Sequence, residues 1–462
     1  MSTRGTLSEH EDQPDTADGA AAAKFVNGST MRHVVVMTFT GAVGLMAIFF
    51  VDLADMYFLS LLGEAEVAGA IGFSGAIVFT NLSFAIGITI SASALVARSL
   101  GAGRVEQARA YSTNTLVFSA IFGVLIAVVL SLLAEPILRL LGARGDALQF
   151  AKDYLVIVIP SFPLLCIGLC LSGVLRGIGD ARRAMYLTLA GAITNAVLDP
   201  ILIFGLEMGV QGAATASAIA RCVIVLVGAY GVFRVHRFTS PLHADGFKRD
   251  LPEILKIAVP AMLTQIATPI GNAYITYSIA PFGDAAVSAL AIVTRIVPVA
   301  FGVVFSLSGA IGPIIGQNFG AGRADRVRES YADALKFCTI YVLITSVLLF
   351  LFRHQIAVIF NASAGASYLI AVFCAWVGPT WLFAGFQYVA NASFNNLGRP
   401  HYSTLFNWSK SLGMAPLAAG GALLAGAEGV LYGMGAANVL LGAASVYFGY
   451  RLIGRTVAAG PR

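Results

Sequence analysis

From about residue 34 to residue 452 the chain is a succession of long apolar stretches separated by charged or Gly/Pro-rich breaks. They run roughly 34–62, 66–97, 107–133, 148–173, 184–205, 210–233, 252–280, 286–318, 329–352, 366–393, 402–424 and 429–452. Crossing a bilayer takes about 20 mostly apolar residues, and only a helix satisfies every backbone group within one such segment. The pattern predicts an all-α polytopic membrane protein with twelve transmembrane helices. Composition agrees: charged residues are 11% and mean hydropathy is +0.81, against about 25% charged in soluble domains.

The first 33 residues differ in kind. Glu9, Glu11, Asp12, Asp15 and Asp18 sit among Ser, Thr, Gly and Ala, which predicts a disordered tail without a signal peptide. The expected division is a cytoplasmic tail over 1–33, six-helix lobes over 34–235 and 252–452, a linker over 236–251 and a second tail over 453–462.

A net charge of +5 suggests a nucleic-acid partner only until the charges are located. Arg98, Arg104, Arg109, Arg176, Arg182, Arg183, Arg234, Arg237, Lys248, Arg249, Arg323, Arg326, Arg328 and Arg399 flank the loops after even-numbered helices. The opposite loops hold Arg139, Arg144, Lys152 and Arg353. By the positive-inside rule both termini are cytoplasmic, in a multi-pass protein of the inner or plasma membrane, and the basic excess reports topology. All five cysteines fall in apolar spans, which argues against a disulfide framework or metal cluster. No metal and no cofactor is expected.

The chain is one half written twice. Gly101-Ala-Gly-Arg104 recurs as Gly320-Ala-Gly-Arg323, Ile178-Gly179 as Leu397-Gly398, and Gly209-Val210 as Gly429-Val430. Leu62 to Val67 recurs as Phe282 to Val287, and every offset is 219 or 220 residues. With six spans per half the repeats share one orientation, so the lobes are related by an axis along the membrane normal. Two such lobes rocking about a central site suit a transporter.

An acidic side chain in a spanning helix costs about 2.5–3.5 kcal/mol on insertion scales and is a functional candidate by default. Asp52, Asp55 and Asp199 stand out. Asp55 comes seven residues before Leu62, Asp199 six before Gly205, and Ser217 seven after Val210. All three therefore lie about 10 Å below the same end of their helices. Asn195 shares a helix face with Asp199, and Pro200 frees the carbonyl of Ala196. These oxygens would form a pocket for a shared proton or a small hard cation, H+ or Na+. The repeat shift places Ile275, Ala418 or Ala419, and Ala437 opposite Asp55, Asp199 and Ser217, so the second lobe lacks the cluster.

The second lobe has a different interior. Gln265, Asn272 and Thr276 form one stripe, and Gln387, Asn391 and Asn395 another, with Tyr274, Tyr277, Tyr388 and Phe394 nearby. Such groups suit either a cavity wall for a bulky, partly apolar ligand, with aromatics favouring cations, or interhelical hydrogen bonding. Arg295 is an isolated cation that would attract an anion or pair with a carboxylate such as Asp52.

Three stretches together resemble the multidrug and toxic compound extrusion (MATE) family. They are Ala54-Asp55-Met-Tyr-Phe-Leu-Ser-Leu-Leu-Gly63 continuing to Gly72, Leu175-Arg-Gly-Ile-Gly-Asp180, and Asn195-Ala-Val-Leu-Asp-Pro-Ile-Leu-Ile-Phe-Gly205 followed by Gly209 to Ser217. The resemblance covers residues 34–452 and is nearest the DinF-like (DNA-damage-inducible protein F) branch. It implies a V-shaped fold of two pseudo-symmetric six-helix lobes, working as a monomer. It also implies antiport, in which proton or sodium entry drives export of amphipathic, often cationic, small molecules. By motif position Asp55 is the first-helix acid, Asn195 and Asp199 are the fifth-helix pair, and Ser217 stands where the family often has Thr. The coupling acids that another branch carries in helices 7 and 10 fall near Ala267 and Ala384 here, against that form of sodium coupling. An alternative is a flippase for lipid-linked saccharide precursors, which twelve spans and a single obvious interior arginine disfavour. No nucleophile–base pair or His cluster supports an intramembrane enzyme.

Overall fold

The computed structural model describes residues 23–61 and 65–459. The acidic positions before residue 23 and the start of the Leu62 repeat motif lie outside the described residues. Among those described, all regular structure is helical.

The first lobe contains α1 (Thr30–Ser60), α2 (Ala65–Gly101), α3 (Val105–Leu140), α4 (Gly145–Ile178), α5 (Ala181–Gly205) and α6 (Gly209–Val235). The second contains α7 (Ala244–Ile279), α8 (Asp284–Gly320), α9 (Ala324–Ile359) and α10 (Ala364–Asn396), then a continuous helical run His401–Ala459. At 1.5 Å per residue that run would be about 90 Å long, three times the hydrocarbon thickness. It breaks at Ala425 (φ −143°) and Gly426 (φ +60°), giving α11 (401–424) and α12 (427–459). The two arms fold back on each other through small residues. A Cβ on Gly421 would stand 1.9 Å from the Gly429 carbonyl oxygen, and one on Gly433 2.4 Å from that of Leu417. Twelve helices result, as expected.

Two boundaries differ from the sequence reading. Residues 24–33 are not part of a loose tail: Phe25 is buried and α1 already begins at Thr30, capped by Ser29. At the other end α12 continues to Ala459. Both extensions have apolar residues to bury, Phe25 and Ile453. One cysteine also differs, since Cys222 is exposed whereas the other four are buried, and all five are free.

Within the first lobe α2 packs on α3 and α4, α1 on α5, and α6 on α4 and α5. In the second, α8 packs on α9 and α10, and the α11–α12 hairpin lies against α7 and α10. The lobes meet through α1 with α8, α2 with α7, and α2 with α8. Exchanging the halves converts the first of these contacts into the second and returns the third to itself, as a two-fold axis requires.

With an even number of helices both chain ends lie on one face, called here the terminal face. The Ser306 hydroxyl donates to the Thr38 carbonyl (2.8 Å), Ser91 to that of Ile254 (3.0 Å), and the Asn114 amide to Asp250 (2.8 Å). These inter-lobe bonds all belong to the half of each helix nearer the terminal face. Towards the other end α1 and α2 carry exposed residues such as Leu53, Tyr57 and Phe79.

Candidate ion site and lobe interiors

The rotation of α5 is set at its first residue. Asp180 caps the helix by accepting from the Arg183 backbone N–H (3.1 Å) and also binds the Arg183 side chain and His236 Nε2 (2.8 Å). Burial pushes the pKa of this carboxyl up, but the bonds from His236 and Arg183 outweigh it and hold it below the ordinary aspartate range. Four turns on, Asn195 and Asp199 point to the lobe interior, 5% and 0% exposed. After Pro200 the ladder widens into a π turn over Ile201–Gly205. Gly212 lets α6 rest on that turn, since a Cβ there would meet the Leu202 carbonyl carbon at 2.7 Å.

The Asn195 amide joins the two carboxyls. Its Nδ2 donates to Asp55 Oδ1 at 2.9 Å and to Asp199 Oδ2 at 3.0 Å. Asp199 Oδ1 is buried without a hydrogen-bond partner. The structure thus brings Asp55, Asn195 and Asp199 together across α1 and α5.

Ser217 takes a different part. It lies beside Tyr154 of α4, whose hydroxyl is within electrostatic reach of Asp55, Asp199 and Arg221. Arg221 sits one turn beyond Ser217, 8% exposed, donating to the Val158 carbonyl (3.2 Å) and to Ser161 Oγ (2.6 Å) over the ring of Phe162. Sequence reasoning missed both residues. Arg221 was findable by the rule that singled out Asp55, being a charge inside an apolar span. Tyr154 gave no signal, because a tyrosine beside Lys152 and Asp153 reads as an ordinary helix end.

The accessory residues separate. Asp52 is exposed one turn before Asp55, and Arg295 is exposed with no ion pair among the described residues. No Asp52–Arg295 ion pair is present among the described residues.

The two stripes of the second lobe also face different ways. α11 contacts α7 at the carbonyls of Pro260, Leu263 and Ala267. Gln265 is two residues from both Leu263 and Ala267, so it points to the opposite side of α7, as do Asn272 and Thr276. Asn272 and Tyr277 are exposed. Gln387 and Asn391 instead face α11, where Ser403 donates to the Asn391 carbonyl and to Asn395 Oδ1, both at 3.1 Å. Gln387 is 1% exposed with neither amide atom bonded, and Asn391 Oδ1 is likewise buried and unpartnered. The two stripes therefore lie on different faces of the second lobe.

The MatE family model matches residues 42–201 and again 260–419, once per lobe. An FAD transporter of Shewanella oneidensis is 31% identical over 91% of this chain and 94% of its own length. The multidrug export protein MepA of Staphylococcus saprophyticus is 28% identical over 67% of this chain and 69% of its own. Among solved structures, a Vibrio cholerae MATE transporter superposes with TM-score 0.88 at 25% identity, covering 93% of this chain and 97% of that one. An outward-facing multidrug resistance MATE transporter gives 0.87 at 24%, covering 94% and 98%. Two matched halves, a full-length relative and the shared twelve-helix fold lead to one conclusion: this chain belongs to the MatE family of multi-pass membrane transporters of small molecules and is not an enzyme.

Proposed function

We propose that the protein is a secondary antiporter that exports amphipathic organic compounds in exchange for H+ or Na+, with Asp55, Asn195 and Asp199 as the coupling site. The observation that carries this reading is the Asn195 amide bonded to both carboxyls. An amide fixed between two acids holds them at a distance where a proton can be shared or a cation can replace it. The unpartnered Asp199 Oδ1 supplies a further ligand atom. Tyr154 and Ser217 would relay a change at the acids towards α4 and α6. One elementary charge crossing 100 mV supplies about 2.3 kcal/mol, enough to drive tens-fold accumulation.

Alternating access would proceed by opening the α1–α8 and α2–α7 contacts of the terminal face while the lobes close at the other. With the termini in the cytoplasm of a plasma-membrane protein, as the basic loops indicate, the contacts described here correspond to an outward-facing state of a working monomer. The relatives' names span two substrate classes, FAD in one case and multiple drugs in another. The test is counterflow in proteoliposomes with proton and sodium gradients imposed separately. Either gradient is expected to drive transport in the wild type, and Asp199→Asn is expected to abolish it while the protein still inserts. Unchanged driven transport in Asp199→Asn would refute the coupling site.

A further inference from the structure

The internal repeat locates a pair of second-lobe side chains that nothing in the coupling site uses. In the first lobe Gly168 of α4 and Gly191 of α5 converge on one side chain, Ile224 of α6. A Cβ on Gly168 would stand 2.6 Å from Ile224 Cγ2, and one on Gly191 2.4 Å from Ile224 Cγ1. The 219-residue offset carries these glycines to Gln387 and Lys410, and the 220-residue offset of the last helix carries Ile224 to Ala444. The structure supports that register independently. Leu187 reaches the Gly228 position in the first lobe, and the equivalents Phe406 and Phe448 pack at 5.5 Å in the second. Two glycines around an isoleucine have become two long polar side chains around an alanine.

The helix pairing gives the same answer. Lys410 follows Ser403 by seven residues on α11, two turns along the same face. Ser403 bonds Asn391 and Asn395 on the antiparallel α10. Moving seven residues forward on α11 is matched by moving back on α10 to about Gln387. Lys410 makes no ion pair or hydrogen bond among the described residues, and Gln387 has neither amide atom satisfied.

We infer that Lys410, Gln387 and Asn391 form an anion-accepting subsite inside the second lobe, for a substrate carrying a phosphate or carboxylate beside hydroxyl or N–H groups. The Lys410 ammonium and the Gln387 Nε2 donate to the anion. Gln387 Oε1 and Asn391 Oδ1 accept from the neighbouring donors. A buried amide left wholly unbonded is costly, and a ligand of this polarity removes that cost. The small Ala444 leaves the room that Ile224 fills in the other lobe. This reverses the cationic preference implied by the resemblance, and it rests on the proposed exporter function for its physiological sense.

The experiment measures binding of two fluorescent probes, riboflavin 5′-phosphate and riboflavin, to the full-length protein in nanodiscs. They differ by one phosphate and share a chain of hydroxyls next to it. The phosphorylated probe is expected to bind about tenfold more tightly, the worth of one charge-assisted hydrogen bond. Lys410→Met is expected to erase that preference, and Lys410→Arg to keep it, which a merely structural lysine would not require. Equal affinities in the wild type, no binding of either probe, or a preference untouched by Lys410→Met each overturn the subsite. The wild-type comparison stands whether or not a variant folds. Ion-driven counterflow of the wild type is read separately: its absence defeats the antiport reading and leaves the subsite standing, and the converse also holds.

Discussion

Gly101 at the end of α2 and Gly320 at the end of α8 make the same contact in opposite directions. A Cβ on Gly101 would lie 2.0 Å from the Gln317 carbonyl oxygen, and one on Gly320 2.0 Å from that of Arg98. Gln317 and Arg98 are themselves repeat partners, 219 residues apart. The two lobes therefore touch backbone to backbone at the terminal face, about their two-fold axis.

Enlarging either glycine wedges this contact apart. Gly320→Val is expected to destabilise the closed terminal face by about 1–3 kcal/mol, the usual cost of overpacking. A thiol placed at the buried position Thr38→Cys, in a cysteine-free background, reports the opening. Its labelling by a water-soluble maleimide should accelerate in Gly320→Val, and an unchanged rate would remove the glycine contact as the seal.

Asn195→Ala removes the amide between Asp55 and Asp199 while leaving both acids in place. The loss of two hydrogen bonds to buried carboxyls is expected to lower stability by about 2–4 kcal/mol. It is also expected to raise the ion concentration needed for half-maximal counterflow. Thermal unfolding and a proton or sodium titration of transport measure the two effects.

Asp180 makes stability depend on pH in a known direction. Its native carboxyl titrates below the ordinary value of about 3.9. Its contribution is therefore complete above that value and fades as pH falls towards the native one. Asp180→Asn is expected to lower the unfolding temperature at pH 7, and the gap from wild type should narrow below about pH 4. A constant gap across that range would show that the ion pairs with Arg183 and His236 contribute little.

The segment before α1 straps the terminal face. The Phe25 N–H donates to Gln317 Oε1 (3.0 Å), and Gln317 Nε2 donates to the Gly177 carbonyl (2.9 Å). Arg326 holds the carbonyls of Phe25 and Gly28, both at 3.0 Å. Phe25→Ala is expected to cost about 3–5 kcal/mol of local stability. Hydrogen exchange should rise at residues 24–33 and at the end of α8, and a rise confined to residues 24–28 would show that the strap does not secure the lobe contact.

How much of this was readable in the chain depended on how unusual each residue was for its surroundings. Asp55 and Asp199 were conspicuous because carboxyls are rare in apolar spans, and helical spacing led from Asp199 to Asn195. The same spacing argument put Ser217 at that depth but gave no sign of Tyr154 beside it, because depth along a helix does not fix rotation about it. That rotation is set by packing such as the seating of α6 on the π turn after Pro200, where Gly212 meets Leu202. The Gln265 and Gln387 stripes lie on different surfaces for the same reason. Each was correct as a helix face, but α11 packs on the far side of α7 from Gln265.

By itself the sequence determined the twelve spans, the doubled architecture and the asymmetry of the acids, since each follows from local hydropathy or from comparing the chain with itself. The tertiary structure decided which polar side chains meet. It set the Asn195 bridge and the surroundings of Tyr154 and Arg221. Those meetings depend on helix rotation and crossing, which close packing of small residues such as Gly101, Gly212 and Gly421 fixes and no periodicity encodes.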